Sequence, residues 1–290
     1  MAAKKHAYDY DIDLKSDVAP ARVLRMIKPG SKVLEIGAGP GSITRHLSGT
    51  LGCSVVALEV DPSAIEILRE YAPKVHSSDL NDPIWSERIR QEDGLFDYVV
   101  AADVLEHVYD PWKVLDGMTS LLAENGAVIL SLPHVGHASV AACLVDEDFE
   151  YWPWGLLDRT HIRFFGIKNM QTLINGAGLV IDQAEFVVRT PMMTEFAARW
   201  KRMPPDIQAA LQRNRYSHVL QTVTCSRLGL TGRTGIDLME LTPEPPKQDV
   251  IDYWADVMAR QVNDRPTDLR STLVAGPTPR TYSASNFPTN

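Results

Sequence analysis

Cysteine is scarce in this sequence. Cys53, Cys143 and Cys225 stand singly among 290 residues, and no C-x-x-C pair occurs. Closely spaced cysteines are the signature of disulfide frameworks and zinc knuckles, so we expect neither here. Isolated cysteines are typical of small buried side chains in a reducing compartment, which favours a cytoplasmic protein.

Long apolar segments are also absent from the sequence. No run of about 18 apolar residues occurs, which is the length that predicts a membrane span. The opening MAAKKHAYDYDIDLK has no apolar core of a signal peptide. We therefore expect no membrane span and a cytoplasmic location.

The sequence also lacks an excess of basic residues. Lys and Arg number 29 against 37 Asp and Glu, which gives a net charge of −8. Non-specific nucleic-acid binding depends on clustered cations that neutralise phosphates, so we expect no nucleic-acid partner. With 44% hydrophobic residues the chain can bury a large core. A small molecule or a glycan is the expected partner, and a homodimer is left open.

What the sequence does contain is an alternation of strand and helix signals. Asp61-Pro62 and Asp110-Pro111 each place a capping carboxylate before a proline, which predicts helix starts after strands. Parallel strands buried on both faces read as short runs rich in β-branched residues. Such runs are KVLEIG (32–37), SVVALEV (54–60), KVHSS (74–78), DYVVAA (97–102) and AVILSL (127–132). The order predicts an open, doubly wound α/β sheet whose ligand binds beyond the carboxyl ends of the strands.

The pattern changes after the fifth strand. Two longer strands are predicted at 179–189 and 218–228, and the second could pair antiparallel at one edge of the sheet. Residues 190–215 between them have helical periodicity, with a break at Pro204-Pro205. We predict a domain over residues 1–230 that includes this helical insert. Residues 231–290 are predicted to form a C-terminal extension with one helix at about 247–261 and a tail poor in apolar residues.

The stretch VLEIGAGPG, residues 33–41, predicts a loop that approaches a nucleotide-like ligand. A nicotinamide dinucleotide and S-adenosylmethionine both fit such a loop. The third glycine, Gly41, comes one residue early for the dinucleotide pattern. A carboxylate at Glu35 would repel a pyrophosphate, whereas it suits an ammonium or sulfonium group.

Two further acids follow the second and third strands. Glu59 lies 22 residues beyond Gly37, where a carboxylate can bind both ribose hydroxyls. Asp79 could accept a hydrogen bond from an adenine amino group. Either acid alone would more often be a loop residue or a helix cap, but three acids at successive strand ends favour a cofactor site.

These residues also carry a family resemblance. The stretches VLEIGAGPGSITRHL, VVALEVDP, SSDL, FDYVVAADVLEHVYDPWKVL and NGAVILSLPHVGHASV resemble successive motifs of class I S-adenosylmethionine-dependent methyltransferases. The resemblance covers about residues 1–230 and implies a Rossmann-like, seven-stranded, mostly parallel sheet with its last strand antiparallel, and S-adenosylmethionine as cofactor. The block YWPWGLLDRTHIRFFGIKNMQTLINGAGLVI resembles a subgroup associated with bacterial sugar, glycan and natural-product tailoring. YSHVLQT departs from that subgroup by lacking an acidic start.

The motifs predict the residues that contact the cofactor. Among the residues after the fourth strand we expect Ala102 to contact it, while Glu106 and His107 can be read as functional or as helix-surface residues. The predicted cofactor-binding residues are Glu35, Gly37, Ala38, Gly39, Glu59, Val60, Asp79, Leu80 and Ala102.

Transfer of a methyl group to a hydroxyl calls for a base that removes the proton. We predict His137 or His161 as that base, with Asp158 fixing the tautomer of the imidazole. In the alternative interpretation, His161 only braces a loop together with Arg159 and Arg163. Four residues are also of metal-ligand types, namely His134, His137, Asp158 and His161. Magnesium sites are rich in carboxylates, however, so we expect no metal.

The predicted activity is methyl transfer to the hydroxyl of a sugar-containing or secondary-metabolite acceptor. Methylation of nitrogen or carbon, a non-catalytic cofactor-binding subunit and a nicotinamide-dependent dehydrogenase are the alternatives. The helical insert is expected to form a lid over the acceptor or, equally, to pack on the sheet or on a second subunit. The apolar residues at issue are Met192, Met193, Phe196 and Trp200.

Overall fold

The structure is a computed structural model that describes residues 8–229, 235–246, 248 and 250–252. Within these ranges, seven strands form one sheet, and helices pack on both of its faces. The strands are β1 (Lys32–Ile36), β2 (Ser54–Leu58), β3 (Lys74–His76), β4 (Phe96–Ala102), β5 (Leu122–Pro133), β6 (Leu179–Val188) and β7 (Val219–Leu228). The helices are α1 (Ala19–Arg25), α2 (Thr44–Gly49), α3 (Pro62–Leu68), α4 (Trp85–Asp93), α5 (Pro111–Ser120), α6 (Ala138–Val145), α7 (Ile167–Gly176), α8 (Ala197–Arg202) and α9 (Pro205–Leu211).

The sheet has the spatial order β3-β2-β1-β4-β5-β7-β6. Strands β1 to β5 are parallel, and the direction of winding reverses between β1 and β4, which pair at Val33↔Tyr98. The carboxyl ends of β1, β2 and β4 therefore meet at one edge, where an open α/β sheet binds its ligand. The predicted doubly wound fold is confirmed.

The last strand corrects one expectation. Strand β7 is antiparallel, as the resemblance implies, but it lies between β5 and β6 and not at the edge. Thr222 pairs with Leu132 on one side and with Phe186 on the other. An interior place suits a strand whose residues are buried over most of its length, and it leaves β6 as the edge strand.

Side chains of β1 alternate between two cores, one on each face of the sheet. Leu34 and Ile36 belong to the larger core, whereas Val33 packs on the opposite face with α1. Glu35 shares the face of Val33, one residue before the end of the strand. The alternation thus fixes the side on which this acid projects.

Two predicted helix caps are confirmed. The Asp61 side chain accepts from the backbone N–H of Ser63 at 2.8 Å and begins α3, and Asp110 accepts from Lys113 N–H at 3.1 Å and begins α5. Each cap satisfies a backbone donor that the first helical turn leaves without a partner. Both helices therefore start directly after the sheet edge that carries the cavity described below.

The insert is helical, with the predicted break at Pro204, after which α9 begins at Pro205. Residues 235–246 extend the domain past the predicted boundary at residue 230. Leu238 is fully buried in the larger core, and Tyr216 donates its hydroxyl to the carbonyl of Met239 at 2.7 Å. Most of the predicted helix at about 247–261 and the tail to residue 290 lie outside the described residues. In the described ranges we find no helix that is long and apolar enough for a membrane crossing.

Candidate functional site

A cavity of about 700 Å³ opens at the carboxyl ends of β1, β2 and β4. All nine predicted cofactor residues line it: Glu35, Gly37, Ala38, Gly39, Glu59, Val60, Asp79, Leu80 and Ala102. Asp158 and His161 line it as well, whereas the described lining does not include His137. The sequence-predicted cofactor residues and one of the two candidate bases thus share one space.

The glycine loop has the backbone that the sequence predicts. Gly37 and Gly39 have φ angles of +64° and +55°, in the left-handed region that other residues rarely adopt. A Cβ on Gly37 would lie 2.7 Å from Cγ2 of Val104, so packing excludes a side chain there. A Cβ on Gly39 would meet only Cβ of Tyr8, at 3.9 Å, so the room beside Gly39 belongs to the cavity.

Glu35 connects the end of β1 to the start of α2. Its carboxylate Oε2 accepts from the hydroxyl of Thr44, the first residue of α2, at 2.6 Å. Burial raises the pKa of Glu35 to about 8, against the lowering effect of the Thr44 hydrogen bond. Glu35 therefore connects the two ends of the glycine loop. Its hydrogen bond from Thr44 offsets part of the free-energy cost of burying a carboxyl group in this core.

Glu59 organises the other side of the loop through backbone amides. Its Oε2 accepts from Gly39 N–H at 2.7 Å, and its Oε1 accepts from Val60 N–H at 2.7 Å and Asp61 N–H at 2.9 Å. The carboxylate at the end of β2 thereby fixes the loop after β1. Because each carboxylate oxygen has two lone pairs and Oε2 accepts only one of these hydrogen bonds, Oε2 can still accept from a ligand.

Asp79 forms a turn after β3. Its Oδ1 accepts from both the backbone N–H and the side-chain amide of Asn81, each at 2.8 Å. The Asp79 side chain is exposed at the mouth of the cavity, while Leu80 packs against the larger core. The turn fixes where this acid stands beside the ligand space.

Asp103, directly after Ala102, is a site residue whose geometry the sequence did not indicate. Its φ angle is +55°, which is uncommon for a residue with a side chain. The carboxylate accepts from the Ser131 hydroxyl at 2.7 Å and from the Gln221 amide at 2.9 Å. Burial raises its pKa. Strained backbone of this kind persists where its surroundings hold it, and it concentrates at functional sites.

His161 faces the half of the cavity opposite the glycine loop. Its Nδ1 lies 3.3 Å from the carbonyl oxygen of Leu156, and because a carbonyl can only accept, Nδ1 carries the proton. Its Nε2 lies 3.9 Å from Oε1 of Glu106. Burial, followed by the neighbouring His107, lowers the pKa of His161 to about 4. The imidazole is therefore neutral at pH 7, and its Nε2, on the side of the ring toward Glu106, keeps its lone pair.

Asp158 does not hold the His161 ring as the sequence predicts. Its Oδ1 accepts from the backbone N–H and the hydroxyl of Thr160, at 2.8 and 2.7 Å, and its Oδ2 accepts from the Tyr8 hydroxyl at 3.5 Å. The carbonyl oxygen of Leu156, which accepts from Nδ1 of His161, fixes the tautomer of the ring instead. Asp158 thus links the N-terminal segment to the loop that carries His161.

His137 has a structural place that does not fit the predicted role of a base. It is fully buried at the N-cap of α6, where its Nδ1 accepts from Ser139 N–H at 3.1 Å. Its Nε2 lies 2.8 Å from the carbonyl oxygen of Arg189 and donates to it. Burial lowers the pKa of His137 to about 3. Both ring nitrogens serve the backbone, so no lone pair is left for a substrate.

Glu106 is the site residue that sequence reasoning left undecided. It lies in a short 3₁₀ turn after β4, is fully buried and lines the cavity. Among the described residues, neither of its carboxyl oxygens has a hydrogen-bond partner. Burial, with Asp103 nearby, raises its pKa well above the ordinary value. Its place in LEH after a strand was the only signal in the sequence.

The insert contributes residues both to the cavity lining and to the packed core. Met193 and Glu195 line the cavity, and Glu195 accepts from Leu156 N–H at 2.7 Å. Burial raises the pKa of Glu195 to about 7. Phe196 packs with Leu156 and α6, whereas Trp200 packs on α6, as does Met192 at the margin of the same cluster. Of the four apolar residues named above, Met193 is the one placed at the cavity.

The chain is similar in sequence to known methyltransferases. The model of a methyltransferase domain family matches residues 10–184. A ubiquinone biosynthesis O-methyltransferase of Xanthomonas campestris pv. campestris (strain B100) is 28% identical over 128 residues, or 43% of this chain and 52% of that protein. One from Rhodopseudomonas palustris (strain HaA2) is 27% identical over 180 residues, or 59% of this chain and 66% of that protein. The chain thus spans about half to two thirds of the length of these curated relatives.

Solved structures are similar at lower identity. A SAM-dependent methyltransferase from Archaeoglobus fulgidus aligns with 71% of this chain and 91% of its own, at 16% identity and a TM-score of 0.49. Magnesium protoporphyrin IX methyltransferase from Synechocystis PCC 6803, solved with bound SAH, aligns with 69% of this chain and 75% of its own, at 14% identity and a TM-score of 0.45. Because the family model covers well over half of the 290 residues, the chain belongs to the methyltransferase domain family.

Proposed function

We propose that this chain is an S-adenosylmethionine-dependent methyltransferase that methylates a hydroxyl group of a small molecule. The observation that carries the proposal is the shared cavity, in which the acids of three strand ends face His161 and Glu106 across one space. Family membership supports the cofactor, and the O-methyltransferase names of the curated relatives support oxygen as the methylated atom.

The cofactor half of the cavity suits a positively charged ligand without a pyrophosphate. Glu35, Glu59 and Asp79 line this half. In the proposed complex the Glu59 carboxylate accepts from the ribose hydroxyls, Asp79 accepts from the adenine amino group, and Gly39 gives the methionine part room. A dinucleotide would bring two phosphate charges against the carboxylates of Glu59 and Asp79, which argues against the dehydrogenase alternative.

The acceptor half supplies alignment and a polar group for the hydroxyl. When bound, S-adenosylmethionine supplies an activated methyl group on a sulfonium, so the protein has to hold the acceptor oxygen in line with it. His161 is the histidine we assign to the acceptor hydroxyl, since it lines the cavity and its Nδ1 is held by the Leu156 carbonyl, which leaves the lone pair on Nε2. Asp158 positions the loop that carries it.

The lining of the acceptor half favours a hydroxyl on an apolar ring. Beside polar groups such as Arg189, Glu195 and Gln221, this half has several apolar side chains in its wall, namely Val108, Pro133, Trp154, Leu156, Met193 and Leu220. Such a surface buries a phenolic ring with little loss of polar contacts. The sugar-containing acceptor that the sequence block around His161 predicts is the second candidate. A turnover panel of catechols and methyl glycosides separates the two, and we expect the catechols to be methylated faster.

Calorimetry with S-adenosylhomocysteine tests the cofactor assignment. Glu59→Ala should weaken binding about 10- to 100-fold, since hydrogen bonds to a charged group contribute about 1.5–3 kcal/mol. Glu66→Ala, an exposed substitution of the same type on α3, should bind like the unaltered protein. Unchanged affinity of Glu59→Ala would remove Glu59 from the site. Stabilisation by a nicotinamide dinucleotide instead would overturn the methyltransferase proposal.

A further inference from the structure

Three ligand-type side chains meet in the acceptor half of the cavity. One ligand atom each from Glu106, His107 and His161 lies within 4.8 Å of the other two. All three residues line the cavity. Ligands bound at about 2.0–2.2 Å around a zinc-type ion lie about 3.4 Å apart, so side-chain movements of about 1 Å would complete such a site.

In both histidines the Nδ1 nitrogen is held by a backbone carbonyl. Nδ1 of His161 is held by the Leu156 carbonyl at 3.3 Å, and Nδ1 of His107 by the Thr160 carbonyl at 3.2 Å. Since carbonyls accept, each Nδ1 carries the proton and each Nε2 keeps its lone pair. Metal-binding histidines typically donate their second ring nitrogen to a carbonyl or carboxylate in this way.

The Glu106 carboxyl gives a second, independent indication of a ligand. It is fully buried, and neither oxygen has a hydrogen-bond partner in the described part of the chain. The neighbouring Asp103 and Asp158, by contrast, accept hydrogen bonds from Ser131, Gln221 and Thr160. A buried carboxyl without a partner is costly, and a cation is the kind of ligand that would offset that cost.

We propose that Glu106, His107 and His161 bind a divalent transition metal, such as zinc or cobalt, beside the acceptor hydroxyl. Two imidazoles and one carboxylate suit these ions better than magnesium, which takes oxygen ligands. Three protein ligands leave a further coordination position, as in catalytic zinc sites. From the sequence we expect no metal, and of the four ligand-type residues named there only His161 belongs to this set.

The chemistry rests on the proposed methyl transfer. A hydroxyl that coordinates the metal has a lowered pKa, so its O–H bond breaks and the proton leaves to solvent. The oxygen then forms the new C–O bond as the methyl–sulfur bond breaks, and the sulfonium becomes a neutral thioether. The products are the methyl ether, S-adenosylhomocysteine and one proton, and no oxidant or reductant is needed.

A second cluster of similar residues serves as a matched control. His76, Glu92 and Asp93 also bring ligand atoms within 4.8 Å of one another. There the Lys74 ammonium lies 2.9 Å from Asp93, and Nε2 of His76 lies 2.7 Å from the same carboxylate. These groups already satisfy each other, so we do not expect this cluster to take up the metal.

Cobalt titration of chelator-treated protein tests the site without cofactor or acceptor. We expect one equivalent of Co²⁺ to bind, with visible absorption bands of a protein-bound ion. Glu106→Gln and His161→Ala should each weaken binding at least tenfold, while His76→Ala leaves it unchanged. Thermal melts show whether each variant is folded, and the near-isosteric Glu106→Gln keeps the test decisive if His161→Ala is unstable.

The outcomes separate the metal from the methyl transfer. Absence of stoichiometric cobalt binding, or binding that Glu106→Gln leaves unchanged, would overturn the metal site. If S-adenosylhomocysteine binds in that case, the proposed function stands and His161 acts on the hydroxyl without a metal. If cobalt binds with the expected variant pattern but S-adenosylhomocysteine does not, the metal site stands and the proposed function fails.

Discussion

The two halves of the cavity are built by different means. In the cofactor half, carboxylates at the ends of β1 and β2 hold backbone amides and a helix start, so Glu35 and Glu59 fix one loop from two sides. In the acceptor half, residues from loops and the helical insert meet by long-range contacts, such as Glu195 with Leu156. Changes in the first half should therefore affect cofactor binding, and changes in the second should affect turnover.

The largest expected effect is in the cofactor half. Gly39→Val should abolish S-adenosylhomocysteine binding, because a branched side chain would enter the ligand space and the φ angle of +55° disfavours it. Gly49→Val, at the end of α2 with open space around it, is the matched control and should bind normally. Calorimetry on folded Gly39→Val that still shows binding would break the assignment of this loop.

The matching change in the acceptor half is His161→Ala. We expect turnover to fall about 10²- to 10⁴-fold, the usual range for loss of a group that assists proton transfer. Affinity for S-adenosylhomocysteine should stay within a factor of about two, since His161 lies on the other side of the cavity. His46→Ala on α2 is the control. A loss of cofactor affinity equal to the loss of turnover would end the distinction between the halves.

The difference between the halves also explains what the sequence could predict. Glu35, Glu59 and Asp79 were predictable because a strand end has a fixed place in a parallel sheet, so linear order gives spatial order. The same rule could not decide whether His137 or His161 reaches the cavity, because neither lies at the end of a parallel strand. His137 caps α6 and reaches the Arg189 carbonyl across the fold, a contact that no local pattern specifies.

The same limit holds for Glu106. A carboxyl in LEH after a strand can face solvent or the core, and only the packing of the loop around Ile162 buries it: the backbone N–H of Ile162 donates to the Glu106 carbonyl at 2.9 Å. The left-handed backbone of Asp103 is equally invisible in sequence, because aspartate adopts it only where its neighbours impose it.

A smaller effect distinguishes lid from core within the insert. Trp200→Ala should lower the free energy of unfolding by about 2–5 kcal/mol, because the indole is buried against α6. Met193→Ala should chiefly raise the KM for the acceptor, since Met193 lines the cavity. Urea unfolding and steady-state kinetics measure both. Equal stability losses with an unchanged KM would make Met193 a core residue and remove the lid.

The most gradual effect concerns pH and the buried acid of the cofactor half. Burial raises the pKa of Glu35 to about 8 in the folded protein, whereas in the unfolded chain it returns to its ordinary value near 4.5. Between these values the folded state keeps a proton that the unfolded state has lost, so the stabilisation is complete below pH 4.5 and disappears as the pH rises through 8.

The free energy of unfolding should therefore fall with pH by on the order of 1 kcal/mol per pH unit at most. Urea unfolding of Glu35→Gln should show a correspondingly flatter loss of stability between about pH 4.5 and 8, the window between these two pKa values, while Glu66→Gln follows the unaltered protein. Parallel curves for Glu35→Gln and the unaltered protein would mean that Glu35 is ionised in the fold, and the glycine loop would then be held by a charged group and not by a neutral acid.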